Sequence, residues 1–307
     1  MIPVLWAVAT ITFFLMHAVP GGPFTEERDV PESVLRALNA RYDLDKPLWE
    51  QYLNYLLNLV QGDLGLSFRG DREVSGLIGD GFFVTFQLGL LAFAVSVAWG
   101  VFLGTVSALN RNGPLDYLGV FFATAGSAVP NFVAGTFLII IFAINLDWFK
   151  IVGWGGPDEW NELFNPGAWD FRKVVLPVIA LSLLPSAFIA RIMRASMLEV
   201  LNQDYIRTAQ AKGLQYYVVI LRHTIKNALI PVLTVMGPIF ATLITGSFII
   251  ESLFSIPGVG GAFVDAVVRR DYAMIMGVTL FYAFIVAVVN LLTDIAYAVV
   301  DPRIRYS

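Results

Sequence analysis

Long apolar blocks separated by shorter polar stretches run through this chain from one end to the other. A block of roughly 20 apolar residues matches the hydrocarbon core of a bilayer. A backbone at that depth must close its own hydrogen bonds, so only helices and closed barrels can cross. The alternating ten-residue strands that a barrel needs are absent from the sequence. The expected fold is therefore all-α, a polytopic membrane helix bundle. Charged residues make up 14% of the chain, against about 25% in an ordinary globular domain, so no soluble fold competes.

Apolar stretches at 2–19, 84–109, 117–146, 174–193, 232–250 and 273–300 predict six transmembrane helices. The first lacks the positive flank and small-x-small site of a cleaved signal peptide and is expected to be retained; no basic residue precedes it, which suggests that the natural chain begins further upstream. Pro130 should kink the third span, and Gly89, Gly100 and Gly104 in the second should mark close helix contacts. Sorting charges by loop orients the bundle. One set of loops carries nineteen acidic and eleven basic residues, the other set with the tail four acidic and nine basic. The positive-inside bias places the second set, and both termini, in the cytoplasm.

The expected layout is a first transmembrane helix at 1–19, an extracytoplasmic helical insertion at 20–81, a five-helix core at 82–300 and a cytoplasmic tail at 301–307. Within the insertion, 31–42 and 47–60 read as two short amphipathic helices with proline at the first turn. Four tryptophans in the loop at 147–173 suit the headgroup level.

Several chemistries are excluded. The chain has no cysteine, which removes disulfides, thiolate metal sites and cysteine nucleophiles. No Walker A pattern occurs. Gly258-Val259-Gly260-Gly261 lacks the last glycine and the strand–helix setting of a dinucleotide loop and reads as a turn. His17 and His223 show no metal-ligand spacing, and no nucleophile–base pair sits in the spans, so no catalytic residue, metal site or cofactor is expected on this chain. Nothing points to nucleic acid. Asn290 and Asp294, four apart on one face of the sixth span, would either line a substrate path or gate, or form a structural pair with Asp294 near Arg191.

The most informative polar segment is the cytoplasmic loop at 198–228, with Asp204, Tyr205, Arg207, Thr208, Ala209, Ala211, Lys212, Gly213, His223 and Asn227. A solvated basic loop would explain the charges. It would not explain the interleaved alanines before Gly213, since small residues let a short helix press into a partner's groove and glycine lets the chain leave it left-handed.

At this loop the sequence resembles the permease subunits of ABC importers. Arg207-Thr208-Ala209 stands where that family has Glu-Ala-Ala, and Gly213 follows at the family's spacing. DYIRTAQAKGL and RHTIKNALIP are similar to blocks of the oligopeptide/dipeptide/nickel branch, as are GDLGLSF, SAVPNF, RASMLEVL, IPGVGG and RRDYAMIMG. The resemblance implies the type I importer permease fold, with 204–213 as the coupling helix. It also implies a complex in the bacterial or archaeal inner membrane: a second homologous permease, two cytosolic ATP-binding subunits holding ATP and Mg, and an extracytoplasmic solute-binding protein that delivers peptide. A secondary transporter or channel not driven by ATP is the alternative; it would need an ion relay and paired broken helices in an internal repeat.

Overall fold

The computed structural model describes residues 1–19, 22–24, 31–68, 70–157 and 162–300. Among them the regular structure is helical, and the one bridge of extended residues joins Leu66 to Glu73. The tail at 301–307 and parts of the 20–81 insertion lie outside the described residues.

Helix α1 (Ile2–Ala18) is 17 residues long with proline in its first turn, about 26 Å at 1.5 Å per residue. Two short helices follow, α2 (Glu32–Arg41) and α3 (Leu48–Val60), each preceded by a proline at its N-cap. Helix α4 (Val74–Leu109) is 36 residues long. It begins well before the apolar block at 84–109 because Val74 and Ile78 are buried in a cluster with Val259, Met274 and Val278.

The third apolar block forms two helices, α5 (Pro114–Ala128) and α6 (Asn131–Leu138), the latter running into a π-helical turn at Ile139–Asn145. The two halves diverge by 108°. Pro130 has no amide to donate and drives Val129 into an extended conformation with ψ 123°.

Helix α7 (Phe171–Leu201) is the centre of the bundle: 61% of its apolar window is buried, against 33% or less in the other long apolar helices. It meets α4, α5, α6 and α10. The glycines of α4 make this approach possible, since a Cβ at Gly100 would lie 2.6 Å from Ile189 Cβ and one at Gly104 2.6 Å from the Ala190 carbonyl oxygen. Gly89 does the same for α10, against the backbone of Leu243.

After the short α8 (Asp204–Ala211) comes one continuous helix, Tyr216–Ile244, made of α9 (Tyr216–Val218), a π-helical turn (Val219–Ile225) and α10 (Lys226–Ile244). It stops at Ile244 rather than 250, because Gly246 turns left-handed with φ +83°. Then follow α11 (Phe248–Leu253), α12 (Val259–Val268) and α13 (Tyr272–Val300). Among the described residues, four helices can cross a membrane by length and composition, or five with the bent α5–α6 pair; α1 falls just below that length.

Candidate coupling loop and its buried supports

Two residues, Asn202 and Gln203, separate α7 from α8. Ile206 is fully buried and Ala209 nearly so, in a cluster with Met193, Met197, Val219, Ala228 and Val232. The small side chain of Ala209 thus lets α8 lie close on its own bundle, facing inward. The outward face carries Tyr205, Arg207, Thr208, Ala211 and Lys212, all exposed. Thr208 Oγ1 donates to the Asp204 carbonyl at 2.9 Å, and Arg207 faces Asp204 across an exposed 3.8 Å pair, which contributes little in water. Gly213 turns the chain out with φ +78° and nothing within 4 Å of where a Cβ would sit. Beyond it Tyr216, Tyr217 and Leu221 extend the exposed surface.

His223 and Asn227 lie on the next helix, not on α8: Asn227 Nδ2 donates to the His223 carbonyl at 2.7 Å. Asn290 is exposed on α13. Asp294 occupies a helical position on α13, and its side chain lies outside the described residues. Arg191 donates to Ser127 Oγ at 3.3 Å.

Behind the loop is an ion pair that reading the sequence missed. Asp116, in the first turn of α5, accepts from Arg194 Nε at 2.7 Å and Nη2 at 2.8 Å. Ser107 of α4 donates its hydroxyl to the same carboxylate, and the Asn112 amide donates at 2.9 Å. Asp116 is only 5% exposed at its side chain. One bidentate pair therefore ties α5, α7 and the α4–α5 turn together, a few residues before α8. Arg194 stands just past the apolar stretch at 174–193, so each partner of the pair was counted only as a loop charge.

At the opposite end, Glu251 of α11 is fully buried, and backbone amides and a hydroxyl hold it. The amides of Gly260 and Gly261 donate to its Oε2 at 2.8 and 3.2 Å, and Thr85 of α4 donates to Oε1 at 3.2 Å. Thr85 Oγ1 in turn accepts from the Val259 amide at 3.0 Å. The glycine run that reads as a turn in the sequence also holds an anion, the side chain of Glu251 in the same chain. Cβ atoms at Gly246, Gly258 or Gly260 would all collide with that carboxylate. Burial pushes the Glu251 carboxyl up to about 7, against the opposing pull of the Gly261, Thr85 and Gly260 donors. Among the described residues no group of three or more metal-ligating side chains comes together.

The described residues thus form a bundle of long apolar helices with a short polar helix seated on one end and buried polar contacts tying the helices together. Residues 100–306 match the family of binding-protein-dependent transport system inner membrane components, and the chain belongs to that family. It is 44% identical to the dipeptide transport system permease protein DppB of Bacillus subtilis, over 99% of this chain and 97% of that protein. It is 43% identical to the oligopeptide transport system permease proteins OppB of Haemophilus influenzae and Escherichia coli, over 99% of this chain and 96% of theirs. Among solved structures it is similar to an amino acid ABC transporter (TM-score 0.55, 17% identity, 72% of this chain and 93% of that one). It is also similar to the inward-facing MetNI methionine ABC transporter (TM-score 0.57, 14% identity, 74% and 97%). At such identities these two likenesses carry the fold alone.

Proposed function

We propose that this chain is a permease subunit of an ATP-driven importer for di- or oligopeptides, forming the membrane pathway with a second, homologous permease. In this reading six spans cross the inner membrane with both termini in the cytoplasm, and 20–81 is an extracytoplasmic insertion that meets the solute-binding protein or the neighbouring permease. Two cytosolic subunits bind ATP and Mg, and this chain binds neither. Substrate class is supported by the near-full-length likeness to dipeptide and oligopeptide permeases.

The observation that carries the mechanism is the two-faced seating of α8: Ile206 and Ala209 anchor it to the bundle while Tyr205, Thr208, Ala211 and Lys212 stay free. A loop can drive a conformational change only if its contacts differ between the partner's states. Exposed on one face and fixed on the other, α8 passes such a difference into α7. Asn290 and Asp294 remain candidates for the pathway or gate. The alternative, a transporter or channel not driven by ATP, would need a free ionisable relay.

Gly213→Asp in the assembled transporter tests this. Aspartate tolerates the left-handed backbone better than most L-residues, so the complex should assemble and dock its binding protein. ATP hydrolysis should continue while peptide uptake into proteoliposomes is lost. Unchanged uptake would remove α8 from the coupling path.

A further inference from the structure

The insertion at 20–81, taken above as a domain outside the membrane, contains one helix whose surroundings say otherwise. Trp49, Leu53, Leu57 and Val60 recur at helical spacing on one face of α3 and are 66%, 49%, 59% and 88% exposed. An aqueous helix rarely leaves four large apolar side chains in a single uncovered stripe. The neighbouring face of α3 is occupied, because Tyr52 and Tyr55 lie on Phe13 of α1 with ring centroids 5.3 and 5.6 Å apart. Asn54 and Asn58 stand on the remaining, polar side. The result is an amphipathic helix with one uncovered apolar stripe and an opposing polar side of Asn54 and Asn58, which suits a helix lying in a membrane interface.

The contacts with α1 fix its depth. His17 of α1 stands beside Tyr272, ring centroids 5.8 Å apart, at the residue where the apolar span of α13 begins. Tyr52 of α3 hydrogen-bonds Thr10 at 2.8 Å. Thr10 lies about 10 Å further along α1 than His17, at 1.5 Å per residue, toward the middle of the bundle. Tyr52 also touches Phe14, a residue of the uncovered apolar side of α1. Tyr52, beside the α3 stripe, therefore reaches the apolar outer surface of α1 below the level at which the neighbouring span starts. Interfacial helices sink about 5–10 Å below the headgroup boundary, which is where these contacts put α3.

We propose that α3 is embedded in the outer leaflet of the bilayer, with Trp49, Leu53, Leu57 and Val60 against acyl chains and Asn58 toward the headgroups. The insertion is then partly a membrane-lying element that braces α1 from its lipid side. His17 joins the two helices through Gln51, whose Oε1 lies 3.0 Å from His17 Nε2 while its Nε2 donates to the Leu44 and Lys46 carbonyls. A protein partner on the same stripe is the competing occupant.

The chain has no cysteine, so each single-cysteine variant carries one labelling site in this subunit, and the transporter with the unsubstituted chain supplies the background from the other subunits. Leu53→Cys, Leu57→Cys and Asn58→Cys, each spin-labelled in the complete transporter reconstituted into phosphatidylethanolamine–phosphatidylglycerol vesicles, separate the outcomes. Labels at 53 and 57 should collide with oxygen and be shielded from a water-soluble nickel chelate, and the label at 58 should show the reverse. Chelate access at 53 and 57 equal to that at 58 would overturn the proposal in favour of an aqueous helix. Shielding of 53 and 57 from both reagents would overturn it in favour of a protein-covered one. None of these readings depends on peptide transport, so the result stands apart from the functional assignment.

Discussion

Removing the carboxylate of Asp116 should be the most costly single change among the buried polar groups of this protein. Asp116→Ala deletes both oxygens that receive Arg194, leaving a guanidinium whose side chain is only 29% exposed facing Ser107 alone. Breaking a buried pair from one side costs about 3–5 kcal/mol, and the partial exposure of Arg194 places this case near the lower end. Arg194→Ala should cost less, about 2 kcal/mol, because Asp116 keeps the Ser107 hydroxyl, the Asn112 amide and the favourable start of α5. The double variant isolates the pair: if the two groups act on each other, their costs fall short of adding by about 1–3 kcal/mol. Unfolding of the purified permease in mixed micelles, titrated with SDS, measures all three. Additive losses would refute the ion pair as the tie between α5 and α7, and losses below about 0.5 kcal/mol for either single variant would refute its burial.

Glu251 should make stability depend on pH. Its folded-state value near 7 lies above the ordinary 4.5, so the folded protein holds this proton more tightly than the unfolded chain. The contribution is full below about 4.5 and is lost as pH rises through about 7. Glu251→Gln should flatten the slope in that window, as read from thermal unfolding across pH; an unchanged slope would assign it to another group. Gly104→Ala should destabilise by about 1–3 kcal/mol, since its Cβ would lie 2.6 Å from the Ala190 carbonyl oxygen. Gly76→Ala, on the same helix with nothing within 4 Å, should instead stabilise by about 0.5–1 kcal/mol, and the pair of shifts in one unfolding assay tests the packing of α4.

Much of the bundle was legible because it rests on local rules. Pro31 and Pro47 mark the starts of α2 and α3, Pro130 marks the break between α5 and α6, and the glycines of α4 mark its contacts. What escaped depends on residues far apart or on backbone direction. Asp116 and Arg194 are 78 residues apart, and each alone reads as a solvated charge. The glycine run at 258–261 binds an anion only because α11 and α12 fold so that two amides converge on Glu251. Alternating alanines in α8 did not reveal that Ala209 faces inward while Ala211 faces out. Periodicity shows that a helix has two sides and leaves open which is taken.

Helix α7 carries Pro177 and Pro185 in its N-terminal half and none between Ser186 and Leu201. Each proline strips one amide from the ladder and crowds the carbonyl four residues earlier, so bending compliance is concentrated in that half. The C-terminal half keeps an unbroken ladder and, through Arg194, is bolted to α4 and α5. The part of α7 that adjoins α8 is therefore the stiff part, and under the coupling role proposed above a displacement of α8 would travel along it unbent until it reached the prolines.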